Sequence, residues 1–100
     1  MNNILSWPVA GDAMTPTFAH GDRLLIDTRI DHIAADGIYL LQPTGGGEPQ
    51  LRRAQREPGG SQIRLVADNT AYPILHCYDA DIQVIGRAIA FFRTISGKFR

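Results

Sequence analysis

Two hydroxyls (Thr15 and Thr17), two carboxylates (Asp12 and Asp22) and one imidazole (His20) fall within the segment Gly11-Asp12-Ala13-Met14-Thr15-Pro16-Thr17-Phe18 and the His20-Gly21-Asp22 that follows it. Nucleophilic chemistry there needs a hydroxyl with a base in reach. Thr15 and Thr17 have no evident base, and their expected role is packing and capping a short turn. Asp12 and Asp22 suit turn-capping hydrogen bonds, and His20 suits a solvated position. The histidines His20, His32 and His76 are too scattered for metal-ligand spacing, and Cys77 has no second cysteine, so neither a metal nor a cofactor is expected. Cys77, with only His76 beside it, reads as an inert, half-buried thiol. Trp7 reads as a packing residue. Cationic chemistry concentrates in Arg52, Arg53, Arg56 and Arg64. On a strand Arg52 and Arg56 share a face while Arg53 points the other way, so they form no single stripe for nucleic acid. Arg52 is expected to pair with Asp12 or Asp22, and the other three to lie on a solvated face.

These residues must be held by short strands. Gln42-Pro43-Thr44-Gly45-Gly46-Gly47-Glu48-Pro49, Pro58-Gly59-Gly60-Ser61 and Asp68-Asn69-Thr70 with Pro73 are turn signals. Between them lie β-type runs at Arg23–Asp27, Gly37–Gln42, Gln50–Arg56, Gln62–Ala67 and Asp81–Thr94. No dozen-residue window carries a 3.6-residue apolar period, so the one helical piece expected is a turn near Met14–Phe18, where Pro16 is tolerated. This pattern predicts an all-β, barrel-like domain. The last run places Ile82, Val84, Gly86, Ala88, Ala90 and Phe92 on one face and Gln83, Ile85, Arg87, Ile89, Phe91 and Arg93 on the other. Apolar residues on both faces mean that the second face is covered too, by the chain itself or by a second copy.

The chain has 100 residues, enough for one domain spanning 1–100. Ten basic residues balance ten acidic ones, which argues against nucleic-acid binding as the main role. A single cysteine excludes a disulfide scaffold. The opening Met1–Pro8 lacks the basic and apolar regions of a signal peptide, and no run approaches the roughly 20 apolar residues of a membrane span. The expected address is the cytoplasm, away from membranes.

Five segments, in order, resemble one known family. Gly11–Phe18 with Gly21-Asp22 is similar to the Gly-Asp-Ser-Met-x-Pro-Thr-Phe…Gly-Asp signature of LexA and phage-repressor C-terminal domains, self-cleaving serine peptidases related in fold to signal peptidases. Asp36-Gly37-Ile38-Tyr39, Leu51–Arg56, Ile63–Pro73 and Val84–Ala88 resemble later strands of that family, so the likeness covers roughly residues 9–93. It implies the small β-clip fold. It also implies a serine nucleophile and a neutral lysine base. The serine position falls on Ala13 and the lysine position on Arg52. Alanine has no proton or lone pair to offer, and a guanidinium stays protonated. The only lysine, Lys98, lies past the last strand.

The resemblance therefore implies a catalytically inactive regulatory and dimerisation domain, tied to transcription regulation of the SOS-response kind. Gly11, Asp12, Met14 and Pro16 would line a relic cleft around Ala13 and Arg52, open to a peptide or protein partner. Ile85, Arg87, Ile89 and Phe91 would carry a homodimer contact. No helix-turn-helix is present in these residues, so no direct DNA binding by them is expected. Two other readings stay open: a self-cleaving Ser/Lys peptidase inactivated by substitution at Ala13, and a small nucleic-acid binder using the Arg52–Arg64 surface.

Overall fold

Seven strands run through the residues described in the computed structural model, which are 3–95. They are β1 (Ile4–Pro8), β2 (Arg23–Asp27), β3 (Gly37–Pro43), β4 (Gln50–Arg56), β5 (Gln62–Val66), β6 (Leu75–Tyr78) and β7 (Ile82–Phe92), with a 3₁₀ turn at Asp79–Asp81 before β7. All pairings are antiparallel, in the order β1-β2-β7-β3-β4-β5-β6. The all-β expectation holds. The ladder does not close on itself, since β1 and β6 occupy its two edges.

The five strands read from the sequence are present, β2 and β4 with the expected bounds and β3, β5 and β7 with ends differing by one or two residues. Two more were not foreseen. β1 is a five-residue run ending in a proline, and β6 has four residues of which three are exposed, so neither shows a clear alternation. The helical turn anticipated at Met14–Phe18 is instead a series of hydrogen-bonded turns: Thr15 N–H donates to Asp12 O at 3.1 Å and Phe18 N–H to Met14 O at 2.9 Å. The Thr15–Pro16 peptide bond there is cis.

β7 lies between β2 and β3 and makes the sheet bend. Leu25 pairs with Ala90 while Ile26 pairs with Ala88, so Ile89 is an extra residue on β7. Leu40 pairs with Gly86 while Leu41 pairs with Val84, so Ile85 is another. Each bulge interrupts the period of two. The two uniform faces expected for this strand therefore do not persist. Ile82 and Val84 pack against one apolar cluster, built around Ile33, Tyr39, Leu41 and Ile63, whereas Ile85 and Ala88 pack against the other, around Met14, Phe18, Leu24, Ile26 and Leu40. β3 serves both, Leu40 facing one cluster and Tyr39 and Leu41 the other. A sheet buried on both sides of its middle strand anchors the loops at either end of that strand.

Candidate functional site

The segment after β1 is clamped to β2 before any side chain of interest is reached. Val9 N–H donates to Asp22 O at 2.7 Å and Gly21 N–H to Val9 O at 2.9 Å. Gly11, in the left-handed region at φ 76°, turns the chain, and its N–H donates to His20 Nδ1 at 3.0 Å. His20 is thus a turn acceptor, although exposed as expected. Met14 and Phe18 sink into the apolar cluster, and Phe18 meets Phe91 edge-on with centroids 5.1 Å apart. Their burial fixes the turn that carries Asp12 and Ala13.

A second loop, Asp68–Tyr72, is tied across this turn. Asn69 donates its backbone N–H to Ala13 O at 3.0 Å and its side-chain amide to Asp12 O at 3.1 Å. Tyr72 Oη donates to Asp12 Oδ1 at 2.5 Å. Thr17 Oγ1 donates a short bond to the Asp68 carboxylate, which Arg53 also holds at 2.6 and 3.1 Å. Thr15 Oγ1 caps Asp12 O at 2.9 Å, as its turn-capping role anticipated. Burial pushes the Asp68 pKa up, but the bonds from Arg53 and Thr17 outweigh it and leave the group below its ordinary value.

Between this locked turn and the start of β4 lies a cleft of about 480 Å³, bordered by Trp7–Met14, Glu48–Arg52 and Tyr72. The volume is within the usual range of ligand pockets. Ala13 and Arg52, distant in sequence, border the same space, as do Gly11, Asp12 and Met14. Pro16 does not. The turn curls away from the cleft after Met14 buries its side chain, leaving Pro16 exposed on the outside. Trp7 packs on the apolar cluster and also forms part of the cleft wall.

Arg52 departs from the expected pairing. Asp22 is taken by Arg93, which bonds it at 2.7–3.2 Å, and Asp12 by Tyr72. Arg52 Nη1 donates to Leu51 O at 2.7 Å and its guanidinium lies 5.7 Å from the centre of the Tyr72 ring. Among the described residues no carboxylate comes within ion-pair distance of it. Burial lowers its pKa, opposed by Tyr72, and a guanidinium so placed still carries its charge. Nor are Arg53 and Arg56 merely solvated. Arg53 holds Asp68, while Arg56 holds Asp79 at 2.9–3.0 Å and donates to Ile33 O and Gly60 O. Arg64 donates to Gln55 Oε1 at 3.3 Å.

The remaining sequence-predicted residues fall elsewhere. Cys77 is half-buried, and burial, with Asp81 and Asp79 nearby, pushes its thiol pKa up, consistent with an inert thiol. Arg87 lies over the Tyr39 ring and donates to Asp36 O at 2.9 Å, while Ile85 packs inward. Of the four residues expected at a dimer contact, Ile89 and Phe91 stand exposed, at 55% and 47%, and Phe92 joins them at 58%. Lys98 lies outside the described residues. Tyr72 and Asn69 were not singled out as site residues; their sequence signal was the Asp68-Asn69-Thr70-Ala71-Tyr72-Pro73 segment of the family likeness. Among the described residues no cluster of His, Cys, Asp and Glu able to hold a metal occurs, and no helix is long and apolar enough to cross a membrane.

A family model described as Peptidase S24-like matches residues 3–89. The repressor protein CI of Enterobacteria phage phi80 is 26% identical over 85 residues, which covers 85% of this chain and 35% of that protein. The chain thus spans about a third of the length of that relative.

Proposed function

This chain belongs to the Peptidase S24-like family, and from that premise we propose that it is a catalytically silent member, a regulatory and dimerisation domain whose cleft holds a peptide without cutting it. The observation that supports this most is the pairing of Ala13 and Arg52 on one cleft. Hydrolysis by a Ser/Lys dyad requires a hydroxyl that attacks the carbonyl and a neutral amine that takes its proton. A methyl group supplies no nucleophile. A guanidinium supplies no base at physiological pH. The backbone N–H groups at the Ala13–Met14 turn remain suited to holding a carbonyl oxygen, the part of such a site that binding alone requires. Similarity to a phage repressor favours a role in transcription regulation in the cytoplasm, with Ile89, Phe91 and Phe92 as the surface through which two copies associate.

The purified chain is expected to leave intact, at alkaline pH, a peptide containing an Ala-Gly bond, the bond that repressors of the resembled family cut in their own chains. The double variant Ala13→Ser with Arg52→Lys is expected to cleave it, as read by mass spectrometry. Cleavage by the parent chain, lost when the Ala13–Arg52 cleft is blocked, overturns the reading. Family membership favours one competing account, a self-cleaving peptidase inactivated at Ala13. A natural reading frame encoding serine at codon 13 or lysine at codon 52 would establish that account. The nucleic-acid reading loses support from Arg53 and Arg56, whose charges are committed to Asp68 and Asp79.

A further inference from the structure

The cleft's charge has a chemical consequence for what it holds. Arg52 sits half-buried on the wall, its guanidinium 5.7 Å from the centre of the Tyr72 ring, with one of its five N–H donors spent on Leu51 O. The two carboxylates bordering the cleft do not neutralise it. Asp12 accepts the Tyr72 hydroxyl, and Glu48 is an exposed residue beyond ion-pair distance. By contrast Arg29, Arg53, Arg56 and Arg93 each hold a carboxylate of this chain. A neutral peptide bond lying across the cleft would leave the Arg52 charge without a counter-ion in a partly desolvated place, whereas a carboxylate would supply one. Charge-assisted bonds of this kind are about twice as strong as neutral ones.

We propose that the cleft takes the free C-terminal end of an extended peptide, its terminal carboxylate lying between Arg52 and the backbone of the Ala13–Met14 turn. This deepens the reading of the cleft as a peptide-holding site and rests on it. The methyl at Ala13 leaves that position without a hydroxyl to crowd or attack the acyl carbon. The apolar side chains of Trp7, Pro8, Ala10 and Pro49, which border the same cleft and keep exposed surface, suit an apolar chain leading up to that end. An internal segment offers the same side-chain contacts and hydrogen bonds but no terminal charge. It is therefore the weaker ligand.

The test uses fluorescein-labelled Gly-Val-Leu-Val-Ala with a free C-terminus and the same peptide amidated, titrated against the full chain by fluorescence anisotropy. The free acid is expected to bind roughly tenfold to a hundredfold more tightly than the amide. In Arg52→Gln, with folding checked by circular dichroism, that preference is expected to vanish; in Arg52→Lys part of it is expected to return. Equal binding of acid and amide by the parent overturns the carboxylate proposal and leaves the peptide-holding role standing. A preference that persists in Arg52→Gln overturns the assignment to Arg52. Failure of both peptides to bind overturns the proposal together with the peptide-holding role, while catalytic silence is judged separately by the cleavage assay.

Discussion

Arg52 and Asn69 show how single side chains set up the cleft. Arg52 brings a permanent charge to the cleft wall, with its guanidinium 5.7 Å from the centre of the Tyr72 ring. Asn69 does structural work on the opposite side. Its amide nitrogen binds Asp12 O, its amide oxygen accepts Ala71 N–H at 3.0 Å, and its backbone binds Ala13 O. Asn69→Ala removes the two side-chain bonds and leaves the backbone one. The expected loss is about 1 kcal/mol, with faster amide hydrogen exchange at Asn69 and Ala71. Unchanged exchange at those amides would show that the loop is held without this side chain.

Strand β7 decides the geometry at the next scale. Its two extra residues, Ile85 and Ile89, let one strand serve two apolar clusters and then leave the sheet with Phe91 still touching Phe18. Between the bulges Gly86 lies so close to β2 that an added Cβ would stand 2.5 Å from Ile26 Cγ2 and 2.6 Å from Asp27 O. The carbonyl belongs to a paired strand and cannot swing aside. Gly86→Ala is therefore expected to cost about 1–3 kcal/mol in urea unfolding. A variant as stable as the parent would mean that β2 and β7 separate more readily than their packing indicates.

At the scale of the whole molecule, ion pairs join parts of the chain that the sheet alone leaves loose. Arg93, after β7, holds Asp22 before β2, and Arg56 on β4 holds Asp79 before β7. The bonds from Arg93 and from Ala19 N–H hold the Asp22 carboxyl below its ordinary value, and Arg29 holds Asp27 down at about 2. A carboxylate whose folded pKa is depressed stabilises the fold above its unfolded pKa and loses that contribution as pH falls through the folded value. Stability measured by urea midpoint should therefore decline between about pH 4 and pH 2, and Asp27→Asn should flatten part of that decline. A midpoint constant across the window would contradict the pairing. The exposed Ile89, Phe91 and Phe92 lead to one more expectation at this scale. Sedimentation of the parent chain should give a dimer and Ile89→Asp a monomer; identical masses would reject that surface as the contact.

Local signals in the sequence were enough for the β class, five of seven strands and the turns between them, because short alternating runs and Gly/Pro punctuation act over a few residues. The same locality made Gly11–Met14 and the Arg52 segment legible as parts of one site, since the family likeness resides in contiguous stretches. Other features were decided only when distant parts met. The bulge at Ile89 lies opposite β2 and that at Ile85 opposite β3, strands distant in sequence, so strand alternation read from β7 alone assigned faces that the sheet does not keep. The partner of Arg52 was equally out of reach. Which carboxylates remain available to it depends on Arg93 reaching Asp22 and Tyr72 reaching Asp12 across more than fifty residues of chain, and that competition exists only in the folded molecule.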